Sequence, residues 1–257
     1  MTQTESENQH PEQRSFSRVA IAAFLLSVIT AFLFLFSGYG YQFDIWSLGT
    51  AFAVLRNAAY ATFGLILINL LAIYLARPGT GKKGLGFGIT GMILTLAVIT
   101  TALYWQSEAQ KYPPIHDLTT DIANPPEFEE IVPLRSDAPN PHEYQGGETT
   151  EMQREFYTDL QSLELNKSPE TIFETAVSLI ESRGWTLVSA DRENLKIEAT
   201  EKLPWFGFKD DVVIRLKSKN DNMTLVDMRS KSRIGRSDLG LNAYRIQQFL
   251  GDLQKEL

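Results

Sequence analysis

The chain has 257 residues, 44% of them apolar, and a formal net charge of -7. It contains no cysteine, which excludes disulfides, thiolate catalysis and cysteine-type zinc sites. Residues 1–105 carry six Lys or Arg and four Asp or Glu, a balance of +2, whereas residues 106–257 carry eighteen and twenty-seven, a balance of -9; so acidic a second half excludes general nucleic-acid binding, which needs a broad basic face.

After a tail of about eighteen residues, VAIAAFLLSVITAFLFLFSGYGY (Val19–Tyr41) opens with a charge-free run close to the roughly 20 residues that a helix needs to cross a hydrocarbon core. A signal peptide is the competing reading, but its apolar run is shorter, about 7 to 15 residues, and ends in small residues rather than aromatic ones. AAYATFGLILINLLAIYLA (Ala58–Ala76) and GFGITGMILTLAVITTALYW (Gly86–Trp105) fit the same template, so the chain is expected to cross a membrane three times within residues 19–105.

Orientation follows from the basic residues. Arg14 and Arg18 precede the first span and Arg77, Lys82 and Lys83 fill the second loop, while the first loop offers Arg56 beside Asp44. The positive-inside rule predicts a cytoplasmic N-terminus and a C-terminal portion in the periplasm or on the outer face. Tyr39, Tyr41, Trp46, Tyr104 and Trp105 would form the outer aromatic belt. Gly79, Gly81 and Gly84 match G-x-G-x-x-G, but that fingerprint needs a βαβ unit; here the glycines suit a tight turn, followed by a small-residue helix face at Gly84, Gly88 and Gly91.

Residues 106–150 are rich in proline, acid and turn formers and read as an extended strap, either wrapped on the domain behind it or partly disordered. The soluble domain is placed at 151–257. SPETIFETAVSLIESRG (Ser168–Gly184) has the N-cap, first-turn proline and C-terminal glycine of a helix. Ile172, Phe173, Ala176, Val177, Leu179 and Ile180 make its apolar face. WTLVSA, LKIEATE, VVIRLKSK and MTLVDMRSKS follow as strands, and a last helix is expected from near Ser237, with Leu241, Tyr244, Ile246, Phe249, Leu250 and Leu253 as its buried positions.

The predicted class is therefore α+β: three transmembrane helices, then a two-layer domain with a four-stranded antiparallel sheet and two packing helices. Alternation turns Leu195, Ile197, Ala199, Val212, Ile214, Leu216, Val226 and Met228 toward the helices. Lys196, Glu198, Arg215, Lys217, Asp227 and Arg229 fall on a polar face, open to water or covered by the strap.

YPPIHDLTTDIANPPEF, WFGFKDDVVIRL and DMRSKSRIGRSDLGLNAYRI together resemble the DUF1499 family, over about residues 112–255. The resemblance implies a bacterial or plastid protein whose domain has no established activity, often preceded by membrane spans. It implies no catalytic residue, so the chemistry rests on the residues themselves.

Three groups are candidates. In RSKSRIGRSDLG (Arg229–Gly240) the cations Arg229, Arg233 and Arg236, with Arg215 and Ser237, would bind an anion or headgroup at a helix start. Alternatively, these arginines with Arg245 pair internally with Asp210, Asp211, Asp227 and Asp238. His116 with Asp117 and Asp121 is a thin metal or acid/base candidate, since the other histidines, His10 and His142, lie in loops without matching spacing. Trp205, Phe206 and Phe208 around Gly207 either fill the core beneath a wide loop or line a pocket or lipid contact. Sequons at Asn166 and Asn222 matter only in a glycosylating pathway.

The expectation is an integral membrane protein with an outward-facing binding or interaction domain in the cell envelope. Its partners would be membrane lipid and an envelope protein or anionic ligand, with no cofactor and no nucleic acid. The alternative is a membrane-anchored hydrolase or metal-dependent enzyme built on His116 and nearby carboxylates.

Overall fold

A computed structural model describes residues 15–220 and 223–257 of the chain, leaving His10, Arg14 and the Asn222 sequon outside the described residues. The chain divides into two compact units after Trp105.

The first unit contains α1 (Arg18–Gln42), α2 (Leu48–Leu75) and α3 (Leu85–Ala109), each long and apolar enough to cross a membrane. Ser17 and Ser47 cap α1 and α2 by accepting from the N–H groups of Ala20 and Thr50. Capping at Ser47 starts α2 ten residues before Ala58, so exposed Arg56 is helical rather than part of a loop. The helices turn large side chains such as Leu35, Leu67 and Ile93 outward (62%, 68% and 61% exposed) and bury Ala20, Ala23, Ala72, Gly88 and Gly91. That inversion of the soluble rule suits lipid, where tails solvate leucine and small residues let backbones approach. A Cβ on Gly88 would lie 2.9 Å from Ile73, and one on Gly91 2.3 Å from the Asn69 Oδ1. At this junction the Asn69 amide donates to Ser27 Oγ (3.0 Å), Thr95 Oγ1 (3.2 Å) and Leu65 O (2.9 Å), with one polar side chain from each helix. The Gly79–Gly84 segment is the tight turn that its composition predicts, with φ of +92°, +69° and +122° at Gly79, Gly81 and Gly84.

The second unit is α+β. Its strands are β1 (Asp117–Thr119), β2 (Leu163–Leu165), β3 (Thr186–Asp191), β4 (Lys196–Lys202), β5 (Lys209–Asn220) and β6 (Met223–Ser232), and its helices α4 (Gly147–Phe156), α5 (Pro169–Ser182) and α6 (Leu241–Glu256). The sheet is antiparallel in the order β1-β6-β5-β4-β3, with β2 also on β6. Six strands therefore replace the four expected. The two extra ones are three residues long, too short to show alternation, and share the outer edge of β6: β1 pairs with 229–231 and β2 with 224–226. The Gln153 amide finishes that edge, accepting from the Thr119 N–H (3.2 Å) and donating to its carbonyl (2.5 Å).

α5 and α6 cover one face. Ile172, Phe173, Ala176 and Ile180 meet Ile246, Phe249 and Leu253 above Ile197, Val212, Ile214, Val226 and Met228, all at most 1% exposed. Full burial of each such side chain is worth about 1.5–3 kcal/mol before entropy is counted. α6 begins four residues after Ser237, because Asp238 accepts from the N–H groups of Gly240 (2.9 Å) and Asn242 (2.8 Å) and delays the first turn. Tyr244, expected in the core, is 59% exposed.

The other face carries the strap, which is ordered and closed over it. Phe128 and Ile131 pack on Val213, and a single 3-10 turn (Val132–Arg135) built around Pro133 follows. The strap gives way to α4, a helix that its composition does not announce.

Candidate functional site

Alternation along three strands builds a cationic surface beneath the strap. β6 contributes Asp227, Arg229 and Lys231, β5 contributes Asp211, Arg215 and Lys217, and β4 contributes Lys196, Glu198 and Thr200. β1 adds Asp117 opposite Lys231.

At the centre, Arg229 is 1% exposed and forks onto Asp117, Nε to Oδ1 at 2.8 Å and Nη2 to Oδ2 at 2.9 Å. Two further hydrogens go to the carbonyls of Pro126 (3.2 Å) and His142 (2.9 Å). The rings of Phe128 and Tyr144 lie 4.8 and 5.4 Å from its guanidinium carbon. Lys231 reaches the same carboxylate at 2.9 Å and the Glu143 carbonyl at 2.7 Å. Burial pushes the Lys231 ammonium below its ordinary pKa, against the pull of Asp117.

Asp211 is the second hub. It accepts from Arg135 (2.6 Å), from Arg233 (2.8 and 2.9 Å) and from the Thr200 hydroxyl (2.6 Å). Arg135, which no local sequence signal marks, also donates to the carbonyls of Asn140 (3.1 Å) and Ser232 (3.2 Å). Two carboxylates thus serve four cations: Arg135, Arg229, Lys231 and Arg233. Main-chain carbonyls of Pro126, Leu134, Asn140, His142 and Glu143 accept further hydrogens of these cations, while the buried Arg135 Nε finds no partner among the described residues. All five carbonyls belong to the strap: Arg229 and Lys231 of β6 hold three of them, Arg233 just beyond β6 holds Leu134, and Arg135, itself in the strap, holds Asn140.

Glu198 completes the closure from β4. Its carboxylate, 1% exposed, accepts the N–H groups of Glu129 (2.7 Å) and Ile131 (2.8 Å). Burial raises its pKa, and those two donors partly offset the rise. A third group lies at the strap's start, where Arg215 binds Asp227 (2.8 Å), Asp121 (3.2 Å) and the Asn124 carbonyl (2.7 Å), with Lys217 at 3.0 Å from Asp227. Desolvation of Asp227 is outweighed by hydrogen bonds from Ser162, Arg215 and Lys217, which keep its pKa low.

The residues proposed for an anion site therefore do not converge. Arg215, Arg229 and Arg233 are turned into carboxylates, and the Ser237 hydroxyl donates to the Pro113 carbonyl at 3.3 Å. Arg236 is exposed, and among the described residues no carboxylate pairs with it. In the internal network Asp227 holds Arg215, Asp211 holds Arg233 and Asp210 holds Arg245 at 2.6 Å, the last on the helix side of the sheet beside Glu201. Asp238 caps α6 instead of meeting an arginine, and burial raises its pKa against the two backbone donors. Asp117, offered as a metal ligand, is the arginine's main partner.

His116, Asp117 and Asp121 do not come together: His116 precedes β1, Asp117 opens it and Asp121 lies beyond its end. Asp117 faces Arg229 and Lys231, Asp121 faces Arg215 and Lys217, and the His116 Nδ1 lies 3.4 Å from the Arg236 carbonyl. Among the described residues no three His, Asp or Glu side chains gather as a metal site would require. Burial lowers the His116 pKa, with Lys231 and Arg135 adding to the shift and the Arg236 carbonyl and Asp117 opposing it. In the β4–β5 loop, Phe206 is buried between Trp205 and Phe208, at ring distances of 5.0 and 5.1 Å.

Fold and site together define a protein with three membrane-length helices and an α+β domain whose charged sheet face is closed by its own strap. The family described as "Protein of unknown function (DUF1499)" matches residues 117–253, just over half of the chain, and the chain belongs to that family. No curated protein matches it.

Proposed function

We propose that this is an integral membrane protein whose N-terminus lies in the cytoplasm and whose C-terminal domain lies outside it, in the cell envelope, acting by binding rather than by chemistry. Its ligand is an envelope protein, a lipid headgroup or a small anion. One observation carries the orientation: the Ser17 N–H donates to the Lys83 carbonyl at 2.9 Å and the Lys83 N–H to the Ser15 carbonyl at 3.0 Å. These bonds draw the start of α1 and the α2–α3 turn together, so Arg18, Lys82 and Lys83 gather at one end of the bundle. The α1–α2 connection carries Asp44 and no base. Cations flanking short loops stay cytoplasmic, and three crossings then carry the domain to the far side. The binding reading is supported by the closed sheet face, where the arginines hold the strap in place of a substrate.

A chain without cysteine allows a direct test. In intact cells a membrane-impermeant maleimide should label a Ser136→Cys variant in the exposed strap, and label a Pro78→Cys variant in the α2–α3 turn only after permeabilisation. The reverse pattern overturns the placement.

A further inference from the structure

The ladder register brings several distant segments to one end of the domain's sheet. Lys202 faces Lys209, Asp210 faces Ser232 and Lys231 faces Asp117. Beyond those pairs, the Arg233 N–H donates to the Lys209 carbonyl (3.0 Å), the Ser232 N–H to the His116 carbonyl (2.9 Å) and the Asp238 N–H to the Ile115 carbonyl (3.2 Å). The β4–β5 loop, the β6–α6 loop and the segment by which the chain comes into the domain from α3 are thereby neighbours. The β3–β4 turn, with Glu193, lies at the opposite end.

What that end presents is unusual for a surface with no task. The loop LPWFGF (Leu203–Phe208) puts exposed Pro204 and half-buried Trp205 at its tip. Exposed Lys202 and Lys209 stand directly across from one another at its base. Arg236 is exposed on the adjacent loop, and Leu134, 49% exposed, is tied to this end by its carbonyl's bond from Arg233. Asp137 is an exposed acid close by in the strap.

We infer that this end of the domain docks on the anionic phospholipid headgroups of the membrane that α3 crosses. Tryptophan and proline at a loop tip with lysine and arginine at its base fit the headgroup layer: the ring settles at the apolar boundary while the cations meet lipid phosphates. The domain begins close behind α3, with only Gln110 and Lys111 between Ala109 and Tyr112. The Tyr112 ring packs over Gly240, where a Cβ would lie 2.5 Å away. The inference deepens the binding reading, requires the helices to lie in a bilayer and is indifferent to which side the domain occupies.

The test uses the full chain in proteoliposomes. Pro204→Cys and, separately, Glu193→Cys variants carry an environment-sensitive fluorophore, and the vesicles contain nitroxide-labelled lipid with or without phosphatidylglycerol. Quenching at position 204 is expected to exceed that at 193 at least about twofold in anionic vesicles, and to fall toward the 193 level in pure phosphatidylcholine. Reversing Lys202, Lys209 and Arg236 to Glu should give the same fall; the lipid comparison reports even where those variants fail to fold. Equal quenching at both positions, or quenching at 204 that ignores lipid charge, overturns the proposal. So does a tip that stays unquenched and water-reactive at every composition, which leaves it to a protein partner. Sidedness is read separately by maleimide labelling, so failure of the topology and failure of the docking give different results.

Discussion

Arg229 and Asp117 meet through two parallel hydrogen bonds at 2.8 and 2.9 Å, 112 positions apart in sequence, with both side chains 1% exposed. Asp117 is also the carboxylate partner of buried Lys231. Asp117→Asn should therefore leave two buried cations without their counter-charge and cost about 3–5 kcal/mol. Chemical unfolding of the purified protein measures it; a loss below about 1 kcal/mol would mean that the strap's carbonyls alone neutralise the pair.

Glu198 ties the strap to β4 through the N–H groups of Glu129 and Ile131. Glu198→Ala leaves the buried Ile131 N–H and the part-buried Glu129 N–H without their acceptor, at about 1–3 kcal/mol. Hydrogen exchange should quicken around residues 126–135 before it does in β5 or β6. Exchange that rises uniformly across the domain would show that the strap has no stability of its own to lose.

His116 sets an acid limb. Its folded pKa lies below the ordinary 6.5, so the unfolded chain binds more protons in the window between the two values, and stability falls as pH drops through that window. The melting temperature should be insensitive to this group above about pH 7 and decline below about 6.5. His116→Gln should remove that decline while leaving the carboxylate-driven loss at lower pH. An unchanged profile would place the acid sensitivity elsewhere.

In the membrane unit, Gly91→Ala puts a Cβ where the Asn69 Oδ1 already stands, 2.3 Å away. It should weaken helix packing by about 1–2 kcal/mol in denaturing detergent, and Asn69→Ala should recover part of that loss in the double variant. Strict additivity of the two substitutions would show that they do not meet.

The regular elements were legible because their signals are local. Ser168, Pro169 and Gly184 bracket α5 within a residue or two, and strict alternation locates β4, β5 and β6. β1, β2 and α4 were not legible: two strands of three residues carry no period, and α4 owes its place to Gln153 reaching the edge of β1. The candidate site was legible only in part. Asp210, Asp211, Asp227, Asp238 and Arg245 were legible as ion-pair formers, of which Asp238 caps α6 instead, but Arg135 and the Asp117 partnership had no sequence signal, since each joins the strap or β1 to strands about 76 to 112 positions away.

The amino-acid sequence by itself determined that there are three membrane-length apolar helices, an acidic α+β domain behind them, and which residues of each strand face the helices. These properties follow from hydrophobic length and periodicity, which each segment carries alone. Only the tertiary structure decided what the opposite face meets. There the cations of RSKSRIGRSDLG separate, Arg229 and Arg233 to carboxylates beneath the strap and Arg236 to the surface, because Arg229 stands on the strap face of β6 whereas Arg236 lies in the loop beyond the strand, and the carboxylate partners come from segments elsewhere in the chain.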